Sequence, residues 1–195
     1  MTSPLALEFV KSARHLADLP ATDAEVAFVG RSNVGKSSLV NSLANRKQLA
    51  KVSNTPGRTQ LINLFQRREG GTLVDLPGYG YAKVPDRERK QWQGMIEGYL
   101  LGREELRALM LLLDGEIGPT ALDLQMIHWL NANEIPAVLV ATKLDKVRPS
   151  RLAGRKQQVA KACGVAERDV LWVSAAKGTG IDQLRDVVVD LLTDR

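Results

Sequence analysis

The segment Gly30–Ser37, which reads GRSNVGKS, has the residue types and spacing that bind a chain of phosphates. Its glycines let backbone N–H groups approach phosphate oxygens. Lys36 can bridge the β- and γ-phosphates, and the Ser37 hydroxyl can ligate Mg²⁺. A helix cap that merely contains glycine would leave the fixed residue types of this pattern unexplained. The predicted phosphate-binding residues are Gly30, Arg31, Ser32, Asn33, Val34, Gly35, Lys36, Ser37 and Ser38.

A second motif, Asp75-Leu76-Pro77-Gly78, follows an apolar run that is typical of a buried parallel strand. In open α/β sheets, ligands bind beyond the carboxyl ends of the strands, so the pattern places the Asp75 carboxylate at that edge. There it can hold Mg²⁺ through a water molecule. An isolated aspartate at a strand end is more often a cap. The metal-binding interpretation is favoured here because the motif follows the phosphate-binding segment along the chain.

A third motif, Thr142-Lys143-Leu144-Asp145, follows another apolar strand. Its residue types can recognise the base of a bound nucleotide. The Asp145 carboxylate can accept hydrogen bonds from N1–H and the 2-amino group of guanine, whereas adenine offers an acceptor at N1 and no 2-amino group. The stem of Lys143 would lie against the base. The small residues Ser174, Ala175 and Ala176 form a turn whose backbone N–H can reach the guanine O6. In isolation, each of these segments could be an ordinary solvated turn.

Apolar runs alternate with helical patterns along the chain and predict an α/β fold. Helices on both faces of a mostly parallel, six-stranded sheet would form three layers, with one antiparallel strand at the edge. Glycines 70 and 71 indicate the hairpin that produces this reversed strand. The predicted strands are 24–29, 61–68, 73–75, 106–114, 136–141 and 170–174, and helices are expected to begin near residues 36, 86, 120, 149 and 181.

The composition of the 195 residues fits one compact domain, predicted as a nucleotide-binding domain over 23–195 preceded by an extension over 1–22 that packs on it. The single cysteine, Cys163, excludes an intramolecular disulfide framework and fits a reducing compartment. The two histidines lack metal-ligand spacing. No apolar run approaches the length of a membrane span, and the N-terminus does not resemble a signal peptide, so we expect a cytoplasmic protein.

The ordered set GRSNVGKS, TPGRTQ, DLPGYGYA, TKLD and SAAKG resembles the translation-factor class of P-loop GTPases, and most closely the EngB/YihA/YsxC family of bacterial ribosome-biogenesis GTPases. The resemblance extends from about residue 9 to residue 192. It implies a P-loop GTPase domain, and it implies that Thr59 joins Ser37 on Mg²⁺ when the γ-phosphate is present. The neighbouring residues Gly57, Arg58, Gln60 and Leu61 would belong to the same nucleotide-sensing loop.

Catalysis is expected to depend on Lys36, Thr59, Gly78 and Asn33. Asn33 resembles the asparagine that ligates an activating K⁺ in related GTPases, although such a residue can also simply adopt a left-handed backbone. Tyr79 occupies the position where Ras-like proteins carry a water-orienting glutamine, so intrinsic hydrolysis should be slow. After Asp114 the sequence GEIGP departs from the Arg-containing segment usual in the family.

The resemblance implies a GTP/GDP switch in assembly of the large ribosomal subunit, with an effect on cell division and septation. The monomer is the default state. Two alternatives remain at this point: a nucleotide-gated binding module with incidental hydrolysis, and a P-loop phosphotransferase. The loops of Thr59 and Gly78 are the two nucleotide-sensing loops that the γ-phosphate and Mg²⁺ would order. We also expect that basic residues in or beside these loops contact rRNA in one nucleotide state. These are Lys51, Arg58, Lys83, Arg87, Arg89 and Lys90.

Overall fold

The computed structural model describes residues 3–50, 61–80 and 86–193, and of residues 86–92 it describes the backbone only. Seven strands of this part of the chain form one sheet in the order β1-β3-β4-β2-β5-β6-β7. They are β1 (Leu7–Ala13), β2 (Glu25–Gly30), β3 (Ile62–Arg67), β4 (Thr72–Asp75), β5 (Leu106–Asp114), β6 (Ala137–Thr142) and β7 (Val170–Trp172).

The sheet is parallel except at β3, which pairs antiparallel with both β1 and β4. The predicted mostly parallel α/β architecture is therefore confirmed, and the hairpin turns through Gly70 and Gly71 as expected. Two details of the sequence prediction are wrong. The sheet has seven strands rather than six, and the reversed strand is not at the edge, because β1 from the N-terminal segment covers it.

Five helices of the described chain cover the two faces of the sheet: α1 (Lys36–Leu43), α2 (Asp86–Gly102), α3 (Ala121–Ala132), α4 (Pro149–Cys163) and α5 (Ile181–Thr193). Their starting points confirm the predicted helix positions. Residues of α1 and α5 share a core with one face of β2, while residues of α2, α3 and α4 share a second core with the other face. β2 is buried along its whole length, as expected for a central strand covered on both sides.

The crossovers of the parallel strands bring the loops after β2, β4, β5, β6 and β7 to one edge of the sheet. These loops contain the motifs that the sequence analysis singled out. Burial fixes the register of the central strands β2 and β4, because a shift by one residue would move their side chains to the opposite face. The core therefore determines how the loop residues stand relative to one another.

Candidate functional site

The segment from Gly30 to Ser37 forms a tight connection between the end of β2 and the start of α1. Gly35 precedes the helix with φ of 98°, a left-handed conformation that favours glycine. Asn33 also has a positive φ, of 65°. This agrees with the structural role that the sequence allowed for Asn33, whereas its ligation of K⁺ stays a prediction. The helix that follows directs its first N–H groups toward this loop, which is favourable for an anion.

Lys36 and Asp75 form a buried ion pair at the centre of the site. The Lys36 ammonium donates a hydrogen bond to Asp75 Oδ1, and the two side chains are only 8% and 4% exposed. The pair brings together the lysine of the first motif and the aspartate of the second, which are 39 positions apart. A phosphate would compete with Asp75 for the lysine, and a cation would compete with Lys36 for the carboxylate.

The Asp75–Gly78 motif continues directly across the phosphate-binding loop. The Ser32 N–H donates to the Tyr79 carbonyl oxygen at 3.0 Å, and the Tyr79 N–H donates to the Gly30 carbonyl oxygen at 3.3 Å. A Cβ added at Gly78 would lie 3.2 Å from the Gly30 carbonyl oxygen, tighter than most real contacts. Glycine at this position therefore allows the close approach of two backbone segments. Leu76 and Pro77 are buried behind them.

The Tyr79 hydroxyl is directed toward helix α3. It donates a hydrogen bond to Asp123 Oδ1 at 2.7 Å, while Asp123 Oδ2 accepts from the N–H and hydroxyl of Thr120 at 2.7 and 2.8 Å. Burial raises the pKa of Tyr79 far above its usual value, and the neighbouring Asp123 charge raises it further. The phenol is thus a neutral donor tied to the start of α3. Sequence analysis did not identify Asp123 as its partner, although the Thr120-x-x-Asp123 spacing is a helix-capping signal.

The third motif joins the first through a buried hydroxyl. Thr142 donates to the Val34 carbonyl oxygen at 2.6 Å and approaches the Leu113 carbonyl oxygen at 3.1 Å. The Ser174 hydroxyl donates to Asp145 Oδ1 at 2.6 Å and accepts from the Lys177 N–H at 3.1 Å. Ser174 is fully buried, whereas Asp145 is exposed. The structure therefore brings the two predicted base-recognition segments into direct contact, and Ala175 and Ala176 follow in the same turn.

Lys143 is oriented by a residue that the sequence analysis did not assign to the site. Its ammonium donates to Asp114 Oδ2 at 2.7 Å, and Asp114 Oδ1 accepts from the N–H groups of Glu116 and Ile117 at 3.0 and 3.3 Å. Asp114 thereby fixes both the lysine and the GEIG turn after β5. The available signal was its position at the end of a strand, directly before the segment that departs from the family pattern.

Several predicted residues cannot be placed. Gly57, Arg58, Thr59 and Gln60 lie outside the described residues, while Leu61 is half-buried and directly precedes β3. Of the basic residues expected beside the nucleotide-sensing loops, Lys51 and Lys83 also lie outside the described part, as do the side chains of Arg87, Arg89 and Lys90.

The described residues contain no group of three or more histidine, cysteine, aspartate or glutamate side chains that could hold a metal ion. The donors predicted from the sequence are different in kind: the Ser37 hydroxyl and the Asp75 carboxylate, with the Thr59 hydroxyl. This set fits Mg²⁺, which takes one or two carboxylates, keeps several waters and binds the phosphates of its substrate. Within the described chain, no helix is long and apolar enough to cross a bilayer.

Comparison with known sequences places this geometry in context. A family model described as a 50S ribosome-binding GTPase matches residues 25–143. A probable GTP-binding protein EngB from Geotalea daltonii is 50% identical over 177 residues, which cover 90% of this chain and 86% of the relative. The protein of the same name from Pelobacter propionicus is 51% identical over 185 residues, covering 94% and 92%.

Two solved structures share the fold. The crystal structure of a probable GTP-binding protein EngB superimposes with a TM-score of 0.73 at 22% identity and covers 88% of this chain and all of that one. Era in complex with MgGDPNP and a segment of 16S ribosomal RNA gives a TM-score of 0.68 at 23% identity, covering 90% and 59%. Because the family model spans more than half of the chain and the relatives align over nearly all of it, this chain belongs to the EngB family of GTP-binding P-loop GTPases.

Proposed function

We propose that this protein hydrolyses GTP slowly and acts as a nucleotide-dependent switch in assembly of the large ribosomal subunit. The observation that carries the proposal is the joining of three motifs at one sheet edge. Lys36 contacts Asp75, the Thr142 hydroxyl links the base-recognition loop to the phosphate-binding loop, and Ser174 contacts Asp145. The family description as a ribosome-binding GTPase supports the assignment of the partner.

In this proposal the two ends of the site recognise different parts of GTP. The backbone N–H groups from Gly30 to Ser38 and the Lys36 ammonium bind the phosphates. At the other end, Asp145 accepts the guanine N1–H and 2-amino protons, and the hydrogen bond from Ser174 holds its carboxylate in place. The Asp114 contact extends the Lys143 side chain, whose stem lies against the base.

Mg²⁺ is the metal that we propose for the site, held by the Ser37 and Thr59 hydroxyls and by Asp75 through water. When bound, it neutralises charge that develops on the phosphate oxygens. In the Lys36–Asp75 pair, each partner compensates the buried charge of the other. With nucleotide and Mg²⁺ bound, Lys36 would contact a phosphate and Asp75 would hold the cation through water.

The placement of Tyr79 supports slow hydrolysis. Its hydroxyl proton is donated to Asp123, so the side chain does not replace a water-orienting glutamine. We expect an intrinsic rate on the order of 10⁻³ per second or lower, with Lys36, Gly78, Thr59 and Asn33 acting at the phosphates. We further propose that Asn33 ligates an activating K⁺. Replacing Na⁺ by K⁺ at constant ionic strength should then raise turnover, and an unchanged rate with and without ribosomal particles would exclude this role.

The switch itself would involve the segments of Thr59 and Gly78. These segments can contact the γ-phosphate, and the contacts end when the phosphate is hydrolysed. The decisive experiment is co-sedimentation with large ribosomal subunits and their precursors in GDP and in a non-hydrolysable GTP analogue, combined with single-turnover hydrolysis. Nucleotide-dependent association with stimulated hydrolysis supports the proposal. Association without stimulation would indicate a nucleotide-gated binding module, and phosphate transfer to an acceptor other than water would indicate a phosphotransferase.

Three further properties belong to the same proposal: a cytoplasmic location, a monomeric state, and an indirect requirement in cell division and septation. Depletion in cells should first lower the proportion of mature large subunits and only later alter septation. The reverse order would argue against ribosome assembly as the primary function.

A further inference from the structure

Helix α4 and the turn before it are unusual in their charge. From position 146 to position 163 the chain carries six basic residues and no acidic residue. Subtracting these charges from the net charge of +5 leaves −1 for the rest of the protein. The positive character of this protein is therefore concentrated in one segment. The basic residues are Lys146, Arg148, Arg151, Arg155, Lys156 and Lys161.

Most of these side chains line one side of the helix. Arg148, Arg151, Arg155, Gln158 and Lys161 follow one another at intervals of three or four residues, which are neighbours on a helix surface. We call this set the α4 basic stripe. It is about 20 Å long at a rise of 1.5 Å per residue. The apolar residues of α4, including Val159 and Cys163, face the core on another side.

The charges of the stripe are not neutralised within the described chain. Arg148, Arg151 and Lys161 are exposed, and no ion pair to another described side chain engages them. Arg155 is half-buried, and its guanidinium donates to the Ile117 carbonyl oxygen at 3.3 Å. Like charges at this spacing slightly destabilise a helix, so binding of an external anion would relieve their repulsion.

The first acidic residues that follow α4 along the chain lie in the turn Glu167–Asp169, while Asp123 of α3 lies near Cys163 on the core side of the helix and is bonded to Tyr79 and Thr120. The carboxylate of Asp169 accepts from the Ala166 N–H at 3.2 Å and lies 3.8 Å from Arg168. Asp169 is therefore engaged within its own turn, and no ion pair joins Glu167 to the described residues of the stripe. The stripe remains a continuous positive surface at the edge of the sheet that carries β6 and β7.

We infer that the α4 basic stripe binds the phosphate backbone of RNA, an inference that rests on the proposed function at the ribosome. A row of guanidinium and ammonium groups matches several phosphates in succession, and binding would release their counterions. The stripe contains no aromatic residue for base stacking, so contact with backbone rather than unpaired bases is expected.

The position of the stripe also predicts how its affinity for RNA depends on whether GDP or a GTP analogue is bound to the protein. α4 begins just after the Thr142–Asp145 motif and runs away from the phosphate-binding loop. The described contacts of the stripe reach the GEIG turn but neither Gly30–Ser37 nor Asp75–Gly78. Its contribution to RNA affinity should therefore be equal in GDP and in a GTP analogue, and any nucleotide-dependent part must come from elsewhere.

The test compares two triple variants of the full chain. The stripe variant removes three charges of the α4 basic stripe by the substitutions Arg148→Gln, Arg151→Gln and Lys161→Gln. The control variant removes three exposed charges outside the stripe by the substitutions Arg14→Gln, Lys47→Gln and Arg107→Gln. Binding of a labelled RNA hairpin is measured by anisotropy over a salt series. The stripe variant should bind on the order of 100-fold more weakly at ~0.15 M salt, with the slope of log affinity against log salt reduced by about 3. The control should change by less than about threefold, because screened charges act over ~8 Å.

A lysine version, Arg148→Lys with Arg151→Lys, should retain most of the affinity, and GDP binding by every variant verifies the fold. The inference would be overturned if both triple variants lost the same affinity for the RNA hairpin, or if the stripe variant lost none. Retained RNA binding with lost binding to phosphatidylserine vesicles would identify a membrane surface instead. Because the stripe is expected to contact phosphates, its loss should also weaken binding of a DNA duplex of matching sequence, and unchanged DNA binding would argue against a backbone contact.

The inference and the proposed function can fail separately. If the stripe variant binds the hairpin normally but the unmodified protein still joins large subunits in a nucleotide-dependent manner, only the stripe is refuted. If the stripe variant loses hairpin binding while co-sedimentation is insensitive to nucleotide, the stripe stands and the switch is refuted.

Discussion

The buried pair of Lys36 and Asp75 makes the stability of the protein depend on a residue of its phosphate-binding loop. Both side chains are nearly inaccessible, at 8% and 4% exposure. Replacing Lys36 by methionine removes the ammonium and leaves a buried carboxylate without its partner. Loss of one partner of such a pair costs about 3–5 kcal/mol. This is a large share of the roughly 5–15 kcal/mol that holds a native domain folded.

The assay is urea unfolding of nucleotide-free protein in a chelator, for the unmodified chain, Lys36→Met, Asp75→Asn and the double variant. The double variant should cost less than the sum of the single variants, since it leaves no unpaired charge. A matched control is Arg68→Met. Arg68 pairs with Glu8 at 3.4 Å, but these side chains are 74% and 69% exposed, so its loss should cost between 0 and about 1 kcal/mol.

The reasoning would be refuted if Lys36→Met cost no more than Arg68→Met, or if the costs of Lys36→Met and Asp75→Asn simply added. Additivity would mean that the two charges do not interact in the nucleotide-free protein of the assay. The same Lys36→Met protein should also lose tight binding of GTP, because the ammonium would then no longer meet the phosphates. Unchanged GTP affinity would place the phosphates elsewhere.

Three other perturbations have defined outcomes. Asp145→Asn should lower guanine nucleotide affinity by about 3 kcal/mol, on the order of 100-fold, and favour xanthine nucleotides, as calorimetry would measure. Tyr79→Phe should lower stability to urea by about 2 kcal/mol, because Asp123 loses a hydrogen bond, yet leave single-turnover hydrolysis nearly unchanged. Burial, with a smaller effect of Asp123, raises the pKa of the Cys163 thiol to about 11. Labelling of this thiol at pH 8 should therefore be on the order of 100-fold slower in the native protein than in the protein unfolded by urea.

Each of these outcomes has a clear opposite. Equal preference for guanine and xanthine in Asp145→Asn would move the base away from this residue, and a strong loss of hydrolysis in Tyr79→Phe would bring the phenol into catalysis. For Cys163, the native state holds its proton more tightly than the unfolded state. Stability should therefore fall as pH rises from about 9 to about 11. A stability that rises over this range in unmodified protein but not in Cys163→Ala would contradict the assignment.

Contiguous motifs were the most predictable part of this protein. The Gly30–Ser37 loop, the Asp75–Gly78 segment and the Thr142–Asp145 turn each combine their residues within a few positions, and each follows a strand that apolar composition reveals. Helix starts were predictable for the same reason, since their signals are local. The parallel architecture followed from the alternation of strands and helices, and parallel strands then bring their carboxyl ends to one edge.

Pairings between distant residues were decided only by the tertiary structure. Nothing local in the N-terminal sequence shows that β1 joins β3 and displaces it from the edge, because the partner of an edge strand is selected by packing across the sheet. The hydrogen bond from Tyr79 to Asp123 and that from Lys143 to Asp114 likewise join different loops. The sequence by itself therefore determined the kinds of groups present and the edge at which they gather. Which carboxylate faces which donor depended on how the buried strands and helices pack, because side-chain contacts form only after the core has fixed the distances between loops.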